Sequence, residues 1–341
     1  MTVERAPAAM RVKPAVFMVL AAAFWAGNYV LGSVAVATMT PFDLTYLRWL
    51  IAVVPLLVIA QIVERPRWRT VLRAWPLLTG LAVLGMLAYN LFLYEALNFT
   101  SAAGASLINA ANPAVMALLA VLLVRDRLSG QAVVGIGLSL LGVLVILSGG
   151  SWQNLTALDM NFGQLLMLGA VLVFSLYSIW GRVLRSVPPI TATAAQAVIV
   201  LVVMTPFAIT FGVTWPTAVE PLSALLYIGL FPSVGSYVLW NLALRDTRAS
   251  VAGIYLNLIT VFTVAAAILL GETVPPAELV GGVVVIFGVV LTSIPRITLR
   301  ARRSPLTPRT PRFRRLRRGT GNTEASAVVV PSDPPQNGPH D

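Results

Sequence analysis

The 341-residue chain contains no cysteine and one histidine, His340. The first absence excludes a disulfide framework and any thiolate metal site. The second leaves no His-based metal site and no Ser–His catalysis, because His340 lies at the far end of a polar tail. Charge is scarce as well. Only 11% of residues are Asp, Glu, Lys or Arg, against roughly 25% in soluble domains. Hydrophobic residues make up 57%. That balance places the chain among polytopic membrane proteins.

A membrane helix needs about 20 apolar residues. Ten windows of the chain meet this, at about 14–37, 42–62, 75–97, 102–124, 130–149, 162–181, 190–213, 222–243, 250–270 and 277–295. Several linkers are very short, so neighbouring helices form antiparallel hairpins. The first window extends past a signal-peptide core and is followed at once by another span, so it reads as an uncleaved helix. The fold class expected is all-α integral membrane, with ten transmembrane helices.

The net charge of +11 would suggest nucleic acid in a soluble chain. Here the arginines fall in alternate loops and one tail. One set of loops holds Arg5, Arg11 and Lys13, then Arg65, Arg67, Arg69 and Arg73. It continues with Arg125 and Arg127, Arg182 and Arg185, Arg245 and Arg248, and the tail from Arg296. The opposite loops and span ends hold the acids Asp43, Glu95, Asp159, Glu220, Glu272 and Glu278. The positive-inside bias predicts both termini in the cytoplasm, with a multi-pass placement in the cell's inner membrane. Residues 1–13 form a short cytoplasmic segment. Residues 296–341 are basic and Pro-rich and are expected to be disordered.

Arg48 is the one cationic side chain inside a predicted span. Burying it costs roughly 2.5–3.5 kcal/mol even on a lenient insertion scale. Two readings are open. It is structural, snorkelling to the interface about six residues away or pairing with Asp43 or Glu95. Alternatively it is a fixed positive charge in the vestibule of a substrate path.

The halves resemble each other at an offset of about 146–150 residues. SAAGASLINAANPAVMALLAVLLVRDRLSGQAVVGIGLSLLGVLVI from Ser101 lies against RASVAGIYLNLITVFTVAAAILLGETVPPAELVGGVVVIFGVVLT from Arg248. Asp126 meets Glu272, Gly135 meets Gly281, Gly142 meets Gly288, and Arg48 falls against Gln196. Each half, 14–150 and 151–295, holds five windows. An odd number inverts the second half relative to the first, and the loop charges agree. Inverted repeats are a recurrent architecture of secondary transporters, with the substrate site near the midplane between the halves.

The chain resembles the drug/metabolite transporter superfamily, of the EamA (RhaT-like) type with two five-helix repeats. The residues that carry the resemblance are LRWLIA at 47–52, YEALNFTSAAGASLINAANPAVMALLAVLLVRDRLS in the first half and ALRDTRASVAGIYLNLITVFTVAAAILLGE in the second. It covers about residues 14–295. The family commonly has a proline where this chain has Thr260. The resemblance implies a ten-helix carrier of small metabolites, often an exporter of amino acids or related compounds.

Polar side chains inside spans need partners in a dry medium. The substrate-facing candidates are Asn28, Tyr89, Asn90, Asn112, Ser178, Tyr237, Trp240, Asn241 and Asn257. Tyr29, Tyr94, Tyr177, Trp180, Asn109 and Tyr255 accompany them on the same spans. Each amide could equally be an interhelical hydrogen bond, and each aromatic could be packing. Together they would line an amphipathic cavity, with rings for apolar bodies and amides for polar handles. Arg48, Glu95 and Pro113 are candidates for the gate or vestibule. Pro113 is expected to kink its span. No carboxylate lies near the middle of a span, so the coupling ion is open. The fifth and tenth spans carry Gly135, Gly137, Gly142, Gly281, Gly282 and Gly288 and read as scaffold or a homodimer contact.

The function expected is secondary transport of small zwitterionic or amphipathic metabolites, not enzymatic chemistry. No cofactor, metal or nucleic acid is expected; the partners are the bilayer and a small molecule. The competing reading is a non-transporting membrane scaffold or a lipid-handling protein.

Overall fold

The computed structural model describes residues 9–124, 129–151, 153, 161–181, 183–184, 186–246 and 249–293. The tail arginines, Arg5, Arg125, Asp126, Arg127, Asp159, Arg182, Arg185 and Arg248 lie outside the described residues, and so does the expectation of a disordered tail.

The described residues are helical, with no strand among them. In the first half, α1 (Ala9–Val36) and α2 (Pro41–Val63) are followed by α3 (Trp68–Arg73) and α4 (Trp75–Leu81). A π-helical turn at Ala82–Ala88 leads into α5 (Tyr89–Ala96). Then come α6 (Ala102–Asn109), α7 (Asn112–Val124) and α8 (Gly130–Leu147). The second half holds α9 (Phe162–Gly181), α10 (Pro189–Phe211) and α11 (Val219–Leu230). A second π turn at Phe231–Ser236 precedes α12 (Tyr237–Asp246), α13 (Ala249–Leu269) and α14 (Pro276–Ser293).

Among the described residues, eight helical runs are long and apolar enough to cross a membrane, from Lys13–Val36 to Val219–Arg245. Tyr255–Leu269 and Pro276–Leu291 are shorter apolar helices. The outward faces carry bare apolar side chains such as Val54, Leu122, Val202 and Phe207. Lipid is the medium that tolerates them, since hydrocarbon asks only that backbone polar groups be satisfied internally.

Local chemistry explains the starts and breaks. Thr40 caps α2, its hydroxyl accepting from the Asp43 N–H at 3.0 Å, and Pro41 fits the first turn because it has no N–H to orphan. The kink expected at Pro113 is a two-residue break in the helical pattern: α6 ends at Asn109 and α7 begins at Asn112. Proline cannot donate back to the carbonyl four residues earlier. At the matching place in the second half, α13 runs unbroken through Thr260, whose hydroxyl donates across to Ser106 O at 2.9 Å.

Each half lends its first long helix to the other. α1 packs on α11, the second π turn, α12 and α13, while α9 packs on the first π turn and α5 to α7. α2 lies along α10, and α8 along α14. Glycine makes the last pair close. A Cβ at Gly142 would sit 2.6 Å from Gly281 O, and one at Gly288 would sit 2.5 Å from Gly135 O. Ser139 Oγ adds a hydrogen bond to Val285 O at 3.1 Å. The glycine face is therefore used within the chain.

Candidate functional site

Arg48 projects from α2 into the packed interior and is 3% exposed. Its Nε donates to Ser233 Oγ at 3.0 Å. Its Nη1 faces three oxygens: Asn90 Oδ1 at 2.6 Å, Asn28 Oδ1 at 3.3 Å and Tyr94 Oη. Tyr94 in turn donates to Asn28 Oδ1 at 2.8 Å. The guanidinium carbon stands 5.1 Å from the Trp49 ring centroid and 5.7 Å from that of Tyr94, within cation–π range.

The partners expected from the sequence are not the ones used. Glu95 accepts from Asn98 Nδ2 at 3.2 Å, and Arg48 forms no ion pair among the described residues. Nor does the side chain snorkel outward. Neutral oxygens from α1, α5 and the second π turn draw it inward instead.

Both π turns contribute. Widening the helix by one residue frees backbone groups for side chains. Met86 O, in the first turn, accepts from Asn90 Nδ2 and from Trp49 Nε1 at 3.3 Å. Those bonds hold the amide with its oxygen towards Arg48. In the second turn Ser233 Oγ donates to Ile228 O at 2.7 Å, which leaves its lone pairs for Arg48 Nε. Pro232 helps the register shift by removing a donor. Small residues let rings approach these turns: Tyr177 lies over Gly85, and Phe24 over Gly235.

Rings extend from the cluster on two sides. Tyr29 and Tyr89 share a hydroxyl contact at 3.1 Å, and the Tyr89 ring lies 5.1 Å from that of Phe174. On the other side Tyr237 sits 6.2 Å from Trp49 and 5.7 Å from Trp25, which in turn packs 5.6 Å from Trp240. Asn28, Tyr89, Asn90, Tyr237 and Trp240 are thus brought around Arg48 or onto its aromatic flanks.

The remaining candidates do not bond to Arg48 among the described residues. Asn112 donates to Asn109 Oδ1 at 3.0 Å and accepts from Ser175 Oγ at 3.0 Å. Ser178 Oγ returns to Phe174 O in its own helix at 2.8 Å. Asn241 is half-buried on α12. Asn257 is buried, and its Nδ2 has no acceptor among the described residues.

The EamA-like transporter family matches residues 12–148 and, a second time, 161–294. The chain belongs to the EamA-like transporter family. It is a multi-pass membrane transporter of a small molecule and not an enzyme. An uncharacterized transporter of Archaeoglobus fulgidus is 28% identical, over 83% of this chain and 98% of that protein. A protein named probable terminal-alkyne amino-acid exporter, from Streptantibioticus cattleyicolor, is 30% identical over 72% of this chain and 80% of its own. A solved crystal structure shares the fold, with a TM-score of 0.59 over 82% of this chain and 96% of the other at 19% identity.

Two residues of this EamA-like transporter, Glu64 and Ser233, escaped the sequence reading. Glu64, just past α2, has a side chain only 2% exposed. Its carboxylate accepts from Ile190 N at 3.1 Å, from Thr191 N at 2.7 Å and from Thr191 Oγ1 at 2.7 Å. Arg245 Nη2 completes it at 3.2 Å. α10 starts after Pro188, which has no side-chain acceptor to cap it, so Glu64 caps α10 from another helix. In sequence, a lone acid beside an arginine-rich loop looks like a solvated charge. Ser233 was missed too, because a serine in an apolar run carries no signal of its own.

Proposed function

We propose that this chain exports small metabolites, such as amino acids or related amphipathic compounds, by alternating access. In this reading ten helices form two inverted five-helix repeats, 14–150 and 151–295, in the cell's inner membrane with both termini cytoplasmic. The exchange of α1 and α9 between the halves supports the repeat. The separation of arginine-bearing from acidic loops supports the orientation.

The observation that carries the function is the Arg48 cluster. Asn28, Asn90 and Tyr94 come from the first half and Ser233 from the second, so both halves converge on one buried cation. Rearranging the halves must remake these bonds, which is what a carrier asks of its central site. Asn28, Tyr89, Asn90, Tyr237 and Trp240 form the proposed substrate wall. The exporter of Streptantibioticus cattleyicolor supports the amino-acid class.

The test is efflux from intact cells. Cells producing the protein are loaded with dipeptides and transferred to fresh medium, and released amino acids are measured. Faster release than from empty-vector cells is expected for at least one amino acid. Unchanged release of all of them, with the protein correctly inserted, favours the scaffold reading.

A further inference from the structure

Arg48 has more charge than its surroundings use. A buried cation loses its hydration, and neutral oxygens do not replace a counter-charge. No carboxylate reaches it among the described residues. The residue matched to it in the second half, Gln196, is equally buried and uncharged.

The donors are also unevenly used. Nη1 carries two hydrogens, yet three oxygens crowd it. Nη2 carries two hydrogens and has no acceptor among the described residues. The longest of the Nη1 contacts is the one to Asn28, at 3.3 Å. Asn28 would keep a partner without it, because Tyr94 donates to the same oxygen at 2.8 Å.

We propose that Arg48 is a carboxylate-binding site, in which one carboxylate oxygen takes the free Nη2 and the other displaces Asn28 from Nη1. The planar fork of guanidinium matches that paired geometry, which lysine would not. The ligand class is a small monocarboxylate with an apolar or aromatic body. Its body would lie against Tyr89 on one flank or against Tyr237, Trp25 and Trp240 on the other. Amino acids fall within the class, their ammonium facing ring faces rather than an acid. The cation then has a counter-charge only when the carrier is loaded.

This rests on the transporter reading and deepens it, and a binding measurement keeps the two apart. Purified full-length protein in detergent is titrated with 3-phenylpropionate and L-phenylalanine, and with the amide of each, by isothermal calorimetry. The acids are expected to bind about tenfold or more tightly than their amides, since the lost contact is a charge-assisted pair. Arg48→Gln is expected to fold and to lose the preference for acid. Equal affinity for acid and amide overturns the proposal, as does absence of acid binding at millimolar concentration. An acid preference retained in folded Arg48→Gln overturns it too. Should that variant fail to fold, the wild-type comparison decides alone. Acid-selective binding without transport would strike the transport reading and leave the site standing.

Discussion

Replacing Glu64 with alanine removes four acceptor contacts at once, to Ile190 N, Thr191 N, Thr191 Oγ1 and Arg245 Nη2. Hydrogen bonds to a charged group are worth about 1.5–3 kcal/mol each, but contacts sharing one carboxylate do not add. The favourable charge at the start of α10 adds about 0.3–1 kcal/mol. The Arg245 side chain is 47% exposed, so its ion pair is screened and contributes about 0–1 kcal/mol. Together these give a loss of about 3–4 kcal/mol for Glu64→Ala. Glu64→Gln keeps one oxygen and loses the charge, for about 1–2 kcal/mol. Arg245→Ala should cost under about 1 kcal/mol. Reversible unfolding in mixed micelles, followed by circular dichroism, measures all three. If Arg245→Ala proved as costly as Glu64→Ala, the ion pair and not the cap would hold this joint. A Glu64→Ala loss below about 1 kcal/mol would refute the cap altogether.

Gly288→Ala would drive a methyl to 2.5 Å from Gly135 O and should destabilise the α8–α14 pair by about 1–3 kcal/mol. Gly137→Ala meets nothing within 4 Å and should be neutral or stabilising in the same unfolding assay. With no native cysteine, orientation is read by single-cysteine labelling: a cysteine at Gln153 should react with an impermeant reagent on intact cells, and one at Thr70 should not. Trp240→Ala and Asn90→Ala should weaken substrate binding more than Leu138→Ala on the scaffold helix, as measured at equal expression.

Hydropathy made the helices legible because each lipid-facing surface must be apolar along its whole length. The π turns were not legible. The rings that pack on them, Tyr177 over Gly85 and Phe24 over Gly235, come from residues far away in sequence. Arg48 stood out because a cation inside a span is rare, and Asn28 and Asn90 stood out as amides in apolar runs. What could not be read was that these are one network. Reasoning from charge led to Asp43 and Glu95, whereas the structure places neutral oxygens on Arg48 Nε and Nη1. The Pro113 break was readable because its cause is local, in a ring that lacks an N–H. Glu64 was unreadable because its partners arrive from α10 and α12, more than 120 residues away.

Counterflow in proteoliposomes tests the transporter account most directly. Vesicles holding purified protein are loaded with unlabelled L-phenylalanine and diluted into a trace of the labelled compound, beside empty vesicles and vesicles loaded with its amide. The account predicts transient accumulation of label in the amino-acid-loaded vesicles that contain protein. It predicts none in empty vesicles and much less with the amide inside. No accumulation above empty vesicles, for this or for any other small carboxylate metabolite in a wider panel, would contradict it.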